Sequence, residues 1–278
     1  MSGIVSCRPR NVDATVSGMT TKFSTATYNV LAQCHIRGDR YTLSPPEALD
    51  ADKRRRLLLA RLDGHPVDLL CLQEVEPDLF ELLRARLDAS HQSAFAPRGS
   101  GREGSALFAR RSVFAWDGLE VLPFAAQRRH ERNLALIARL TVAGRPLHVA
   151  VTHLAWQPDD TLPAEHVGRQ QIAELLDRRD AAPADATWIV AGDFNAISQS
   201  VVLEEAYRRG LAESCRTQRP WDTTAINRRP RKTTYLLFSE GRLQPEPGIL
   251  PRLTRETVMP SLTEPSDHLP LRVDFTTI

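Results

Sequence analysis

The chain has 278 residues, 42% of them hydrophobic and 25% charged, which is enough apolar material for one large globular core. A formal net charge of +2 is too small to argue by itself for nucleic-acid binding. The positive charge is almost all arginine, with lysine only at Lys22, Lys53 and Lys232, which reads as coding bias before it reads as phosphate recognition.

In chain order, residues 1–22 lack the apolar stretch of a signal peptide and read as a flexible segment, so a cytoplasmic location and no membrane association are expected. "FSTATYNVLA" (23–32) has strand character. "DKRRRLLLARLDG" (52–64) reads as a helix with Leu58, Leu59 and Leu62 on one face and Gly64 at its end. "VDLLCLQEV" (67–75) is a buried strand, and Pro77 opens the next helix. Strands are expected at 102–110, 132–142 and 145–154, the last two joined by a tight turn at "AGR". A helix at 164–179, with Val167, Ile172, Leu175 and Leu176 inward, leads to a buried strand at 186–194 and a helix at 201–211. Beyond residue 214, "PRKTTYLLFSEGRLQ" reads as strand and turn and "HLPLRVDF" (268–275) as a final strand. The proline-rich text between them reads as a surface loop. Hairpins mixed with helical crossovers imply one α/β domain over 23–278, two packed mixed sheets with helices outside. Cys7, Cys34, Cys71 and Cys215 are scattered, without metal-binding or disulfide spacing, and suit a reducing compartment.

Several of these strands end on polar groups. They are Asn29 in "TYNVLAQ", Glu74 in "LLCLQEVE", His153 in "VTHL", Asp193 and Asn195 in "VAGDFNA", and Asp267 with His268 in "PSDHLPL". Taken singly, each reads as a cap or turn residue. Together they suit phosphate-ester hydrolysis. Glu74 is a hard ligand for Mg2+ or Mn2+, and the absence of clustered cysteines or H-E-x-x-H argues against zinc. Asp193 can orient and deprotonate a water, with Asn195 fixing both. His268 or His153 can supply a proton or a hydrogen bond to the phosphate oxygens.

These five motifs, in this order, resemble the endonuclease/exonuclease/phosphatase superfamily, which includes DNase I, over residues 23 to 276. "NVLAQ", "CLQEVE" and "THLAWQPDD" are most similar to its branch of carbon-catabolite-repression deadenylases, nocturnin, angel proteins and 2′-phosphodiesterase. The resemblance implies a DNase I-like four-layer α/β sandwich with the site at the sheet ends. It places Glu74 on the metal with Asn29 and Asp267 nearby, His153 and His268 against the phosphate, and Asp193 with Asn195 on the nucleophile. It also implies a metal-dependent hydrolase acting on RNA, single-stranded and at the 3′ end. Two end-processing variants stay open: a 2′,3′-cyclic-phosphate phosphatase and a nuclease of 2′,5′ linkages. A weakened binding protein and a small-molecule or lipid phosphatase remain as alternatives.

Around that set, Asn133 and Arg98 are candidates for substrate contact, and Trp156 for stacking on a base. Arg102 and Arg132 read first as solvated surface cations, and His148 and His166 as ordinary core histidines. One position departs from the family pattern. Thr234 stands where an Asp usually orients the final histidine. A hydroxyl can accept a hydrogen bond from His268 but supplies no counter-charge to an imidazolium. The intact remainder favours an active enzyme, tuned by Thr234 or borrowing another acid such as Asp222, over a weakened one.

Overall fold

A computed structural model describes residues 20–128, 131–215 and 222–278. Residues 1–19, which hold most of the expected flexible segment and Cys7, lie outside the described residues. The first half runs β1 (Lys22–Asn29), α1 (Ala51–Gly64), β2 (Leu69–Val75), α2 (Pro77–Leu87), β3 (His91–Arg98), β4 (Glu103–Arg110) and β5 (Ala115–Pro123). It continues with β6 (Leu134–Val142), β7 (Arg145–His153), α3 (Val167–Asp180), β8 (Thr187–Asp193) and α4 (Val201–Arg208). The remainder is strands: β9 (Leu211–Glu213), β10 (Thr224–Ile226), β11 (Arg229–Arg231), β12 (Thr234–Ser239), β13 (Leu243–Pro247) and β14 (Leu271–Thr277).

Among the described residues, two six-stranded sheets form, in the orders β13-β14-β1-β2-β4-β3 and β5-β6-β7-β8-β12-β9, with β10–β11 a separate hairpin. Their apolar faces meet in a core of Phe23, Leu69, Leu107, Leu136, Val149, Ile189 and Phe275. The outer face of the first sheet buries Leu58 of α1 and Leu79, Phe80 and Leu83 of α2. The outer face of the second takes Ile172, Leu175 and Leu176 of α3 and Val202, Leu203 and Ala206 of α4. This is the expected four-layer sandwich of two mixed sheets flanked by helices.

Within each sheet one pair is parallel, β1 with β2 and β7 with β8. Each pair is joined through a helix, α1 or α3, as a parallel connection requires. The carboxyl ends of these four strands therefore lie on one edge of the sandwich, where crossover connections leave a crevice. Gly192 keeps the second pair close: a Cβ there would sit 1.9 Å from the Thr152 carbonyl oxygen of β7.

Of three local expectations, two hold and one needs correction. Helix α1 does turn Leu58, Leu59 and Leu62 to one core, Leu58 buried and the other two half-buried against it, with Arg54 buried as well. The proline-rich text is not all loop, because residues 243–247 add β13 to the edge of the first sheet, where missing amide donors are tolerated. The "AGR" turn does form, with Ala143 and Gly144 both at positive φ, as a two-residue hairpin demands.

Arg54 is a structural anchor. Only 3% exposed, its Nε donates to the Pro265 carbonyl at 2.7 Å and its terminal nitrogens to Gln33 Oε1 at 2.6 Å, Val30 O at 3.1 Å and Leu31 O. It thereby ties the chain after β1 to the segment preceding Asp267. Arg54→Met should lower unfolding free energy by about 3–5 kcal/mol in urea melts, because several buried acceptors lose their donor.

Burial pushes the pKa values of His91, His148 and His166 down from the ordinary histidine range. The unfolded chain then binds more protons than the folded one as pH falls through the histidine range, so stability rises with pH and is lost in acid. His35 opposes this weakly: a Glu103 contact raises its pKa against desolvation, but the side chain is partly exposed. Unfolding free energies from urea melts should therefore fall from pH 7.5 to 5.5, by at most about 1.4 kcal/mol per pH unit per histidine.

Candidate active site

The strand ends deliver the polar groups to a cleft of about 670 Å3. Asn29 closes β1, His153 closes β7 and Asp193 closes β8, with His153 and Asp193 in register. Glu74 lies near the end of β2, where the register with β4 shifts between Leu72 and Val75 and Glu74 takes φ of 56°. That irregularity breaks the alternation and costs conformational energy, which a buried, well-held side chain must offset.

Asp193 is the hub. Its Oδ2 accepts from Asn29 Nδ2 at 3.0 Å and lies 3.4 Å from His268 Nε2 and 3.7 Å from His153 Nε2. Its Oδ1 accepts the Asn195 backbone N–H at 3.0 Å. Asn195 is not aimed by strand alternation, since β8 ends at Asp193. A left-handed turn at φ 50° swings it back, and Asn tolerates this conformation. Its Nδ2 donates to the Leu154 carbonyl at 2.9 Å and to His153 Nε2 at 3.0 Å. Phe194, between the two, is fully buried in the outer core.

That donor makes His153 Nε2 the acceptor and leaves the proton on Nδ1. Nδ1 is buried without a hydrogen-bond partner, 4.0 Å from Glu74 Oε1. Burial, with Arg98, His268, His35 and Arg40 nearby, holds the His153 pKa well below the ordinary range, so the ring is neutral at pH 7. Asn133 does not reach into the cleft. Its Nδ2 donates to the His153 carbonyl at 2.6 Å, which makes it a support for β7.

Glu74 Oε1 accepts from Asn29 Nδ2 at 2.9 Å and Oε2 from Ala32 N at 3.1 Å. Asn29 Oδ1 accepts Leu31 N–H at 3.0 Å. Asn29 therefore turns its NH2 toward the two carboxylates and braces them, set back from the cleft wall. Asp267 is likewise set back. Its Oδ2 accepts Tyr41 OH at 3.0 Å, Arg40 stands 3.8 Å away, and Oδ1 is 3.9 Å from His268 Nε2. Among the described residues no three His, Cys, Asp or Glu side chains gather closely enough to hold an ion unaided. One cleft carboxylate, Glu74, completed by waters and substrate oxygens, is a donor set that fits Mg2+ or Mn2+.

Thr234 Oγ1 pairs with His268 Nδ1 at 3.0 Å, so it does occupy the orienting position. Asp222 is not the substitute acid. The charge acting on it is Lys232, and the carboxylates within 4 Å of His268 are Asp193 and Asp267. Thr234→Val, which keeps the shape and removes the hydroxyl, should lower kcat by about 10-fold with the melting temperature little changed.

Arg98 lines the cleft but is engaged by Glu103 at 2.6 Å, which His35 also approaches at 3.7 Å. Trp156 stands at the rim, 50% exposed, its carbonyl bonded at 2.5 Å by Arg128. Arg132 is exposed and off the cleft wall, His148 stacks edge-on against Trp188, and His166 caps α3 by accepting from Arg169 N. Sequence reasoning missed Tyr41, Arg40, Glu103 and His35. All but Glu103 come from an irregular segment whose place is set by distant contacts, such as Asn227 Nδ2 to the Arg40 carbonyl at 2.8 Å.

Residues 26–268 match the Endonuclease/Exonuclease/phosphatase family. Nocturnin of Xenopus laevis is 29% identical over 292 residues, covering 91% of this chain and 72% of that protein. Human nocturnin is 30% identical over 286 residues, covering 89% of this chain and 64% of its own length. The CCR4-Not complex 3′-5′-exoribonuclease subunit Ccr4 of Saccharomyces cerevisiae is 25% identical over 224 residues, 66% of this chain and 26% of that one. The crystal structure of ANGEL2, a 2′,3′-cyclic phosphatase, with adenosine-2′,3′-vanadate has a TM-score of 0.77 at 20% identity. It covers 93% of this chain and 96% of that one, a likeness of fold. With the family pattern running through every strand that delivers a site residue, this chain belongs to the endonuclease/exonuclease/phosphatase family.

Proposed function

We propose that this chain is a divalent-cation-dependent phosphoesterase that hydrolyses phosphodiester bonds at the 3′ end of single-stranded RNA. The observation that carries the reading is the chain of contacts from Glu74 through Asn29 to Asp193, with the neutral His153 on one side of that carboxylate and His268 on the other. The named activity of Ccr4 supports RNA as substrate and the 3′ end as its point of attack.

In this reading Asp193 orients the attacking water and takes its proton, its position fixed by Asn29 and by the Asn195 backbone. The unpartnered Nδ1–H of His153 donates to a phosphate oxygen as charge gathers there. His268, held by Thr234, offers a second hydrogen bond on the other side of Asp193. Glu74 would hold Mg2+ or Mn2+, which when bound supplies positive charge to the phosphate oxygens. Asp267 and Tyr41 position His268 and the segment that carries it. Incubation with RNAs ending in hydroxyl, 3′-phosphate or 2′,3′-cyclic phosphate tests the reading. A ladder from the 3′-hydroxyl RNA is expected, whereas an end-group change at constant length would assign an end phosphatase instead.

A further inference from the structure

A second cleft, about 490 Å3, adjoins the first, and the two share Glu74 and Arg102. Its apolar side is formed by Leu31, Leu58, Pro77 and Leu79. Its carboxylates are already engaged: Glu76 accepts Cys34 N–H at 3.0 Å, and Asp78 pairs with Arg55. Arg54, also on its wall, spends its donors on backbone carbonyls and Gln33.

Arg102 differs from the other cations of both clefts. Arg98 and His35 face Glu103, Arg40 faces Asp267, and Arg231 pairs with Asp159. Arg102 is exposed and, among the described residues, makes no hydrogen bond or ion pair. An uncompensated guanidinium therefore stands where the two clefts join, beside the carboxylate that would hold the metal.

We infer that the second cleft is a subsite for the nucleotide adjoining the scissile phosphate, with Arg102 contacting the phosphate that follows it. This rests on the phosphoesterase reading above and deepens it, because it makes the preferred substrate an oligonucleotide with at least two phosphates. A guanidinium with free donors matches a phosphate in bidentate geometry, and the apolar wall matches the face of a base. The continuity of the two clefts across Glu74 and the local charge both favour this occupant.

The test compares kcat/KM of the full-length protein with Mg2+ on a trinucleotide and on a mononucleotide p-nitrophenyl diester. The trinucleotide should be preferred by about tenfold or more. Arg102→Gln should cut that preference about tenfold through KM and reduce the salt dependence of trinucleotide binding by about one counterion, with Arg102→Lys intermediate. Ala51→Trp, at the exposed start of α1 on the second cleft, should also cut the preference by obstruction. Equal use of both substrates by the unaltered protein, or an unchanged preference and salt slope in Arg102→Gln, would overturn the subsite while leaving the phosphoesterase reading intact. Hydrolysis of neither substrate with any divalent cation would overturn the phosphoesterase reading itself.

Discussion

Asp193→Asn is expected to lower kcat by about 10^4-fold, the largest effect of any single substitution in this protein. The amide keeps the shape of the side chain and an oxygen for Asn29 or for the Asn195 N–H, so the fold should survive. It removes the carboxylate proposed to take a proton from water, which lies 3.4 and 3.7 Å from the two histidines. The loss should appear in kcat with KM nearly unchanged, because the group acts on the nucleophile and not on substrate binding. Single-turnover measurement with a 3′-labelled RNA separates the two. A loss confined to KM would mean that Asp193 binds substrate and that another group activates the water.

Glu74→Gln is expected to cost about 10^3-fold in kcat/KM, with the deficit reduced by raising the divalent-cation concentration. Gln can still accept from Asn29, but its NH2 would oppose the Ala32 N–H, at a cost of about 1–3 kcal/mol. Circular dichroism therefore has to accompany the kinetics. The diagnostic readout is direct cation binding, by calorimetry with Mg2+ or by Mn2+ paramagnetic resonance, which should weaken in Glu74→Gln and remain in Asp193→Asn. Equal binding in the two variants would remove Glu74 from the metal role.

The central strands were legible because they are covered on both faces. Residues 69–75, 145–153 and 187–193 read as apolar runs, and a polar residue at the end of such a run stands out. Glu74, His153 and Asp193 were found this way. Edge strands are harder to read. β3 contains Pro97, β5 carries a register shift at Trp116–Gly118 with an exposed outer face, and β13 alternates with prolines. What an amide does could not be read at all: only the fold shows that Asn29 turns NH2 to the carboxylates and that Asn195 arrives through a left-handed turn. Tyr41 and Arg40 were invisible for a related reason, since the β10–β11 hairpin, far along the chain, fixes their segment.

The hydroxyl of Thr234 in place of the usual carboxylate leaves His268 oriented on Nδ1 and faced by Asp193 and Asp267 on Nε2. The site therefore keeps negative charge beside the imidazole, although not along the usual direction. This geometry favours catalysis over a purely binding role, and activity decides between the two. The most direct measurement follows a 5′-labelled single-stranded RNA with a 3′-hydroxyl, in Mg2+, on a sequencing gel. Progressive 3′ shortening, abolished by EDTA and by Asp193→Asn, is the expected result. RNA of unchanged length and unchanged end group, in Mg2+ and in Mn2+, would contradict it.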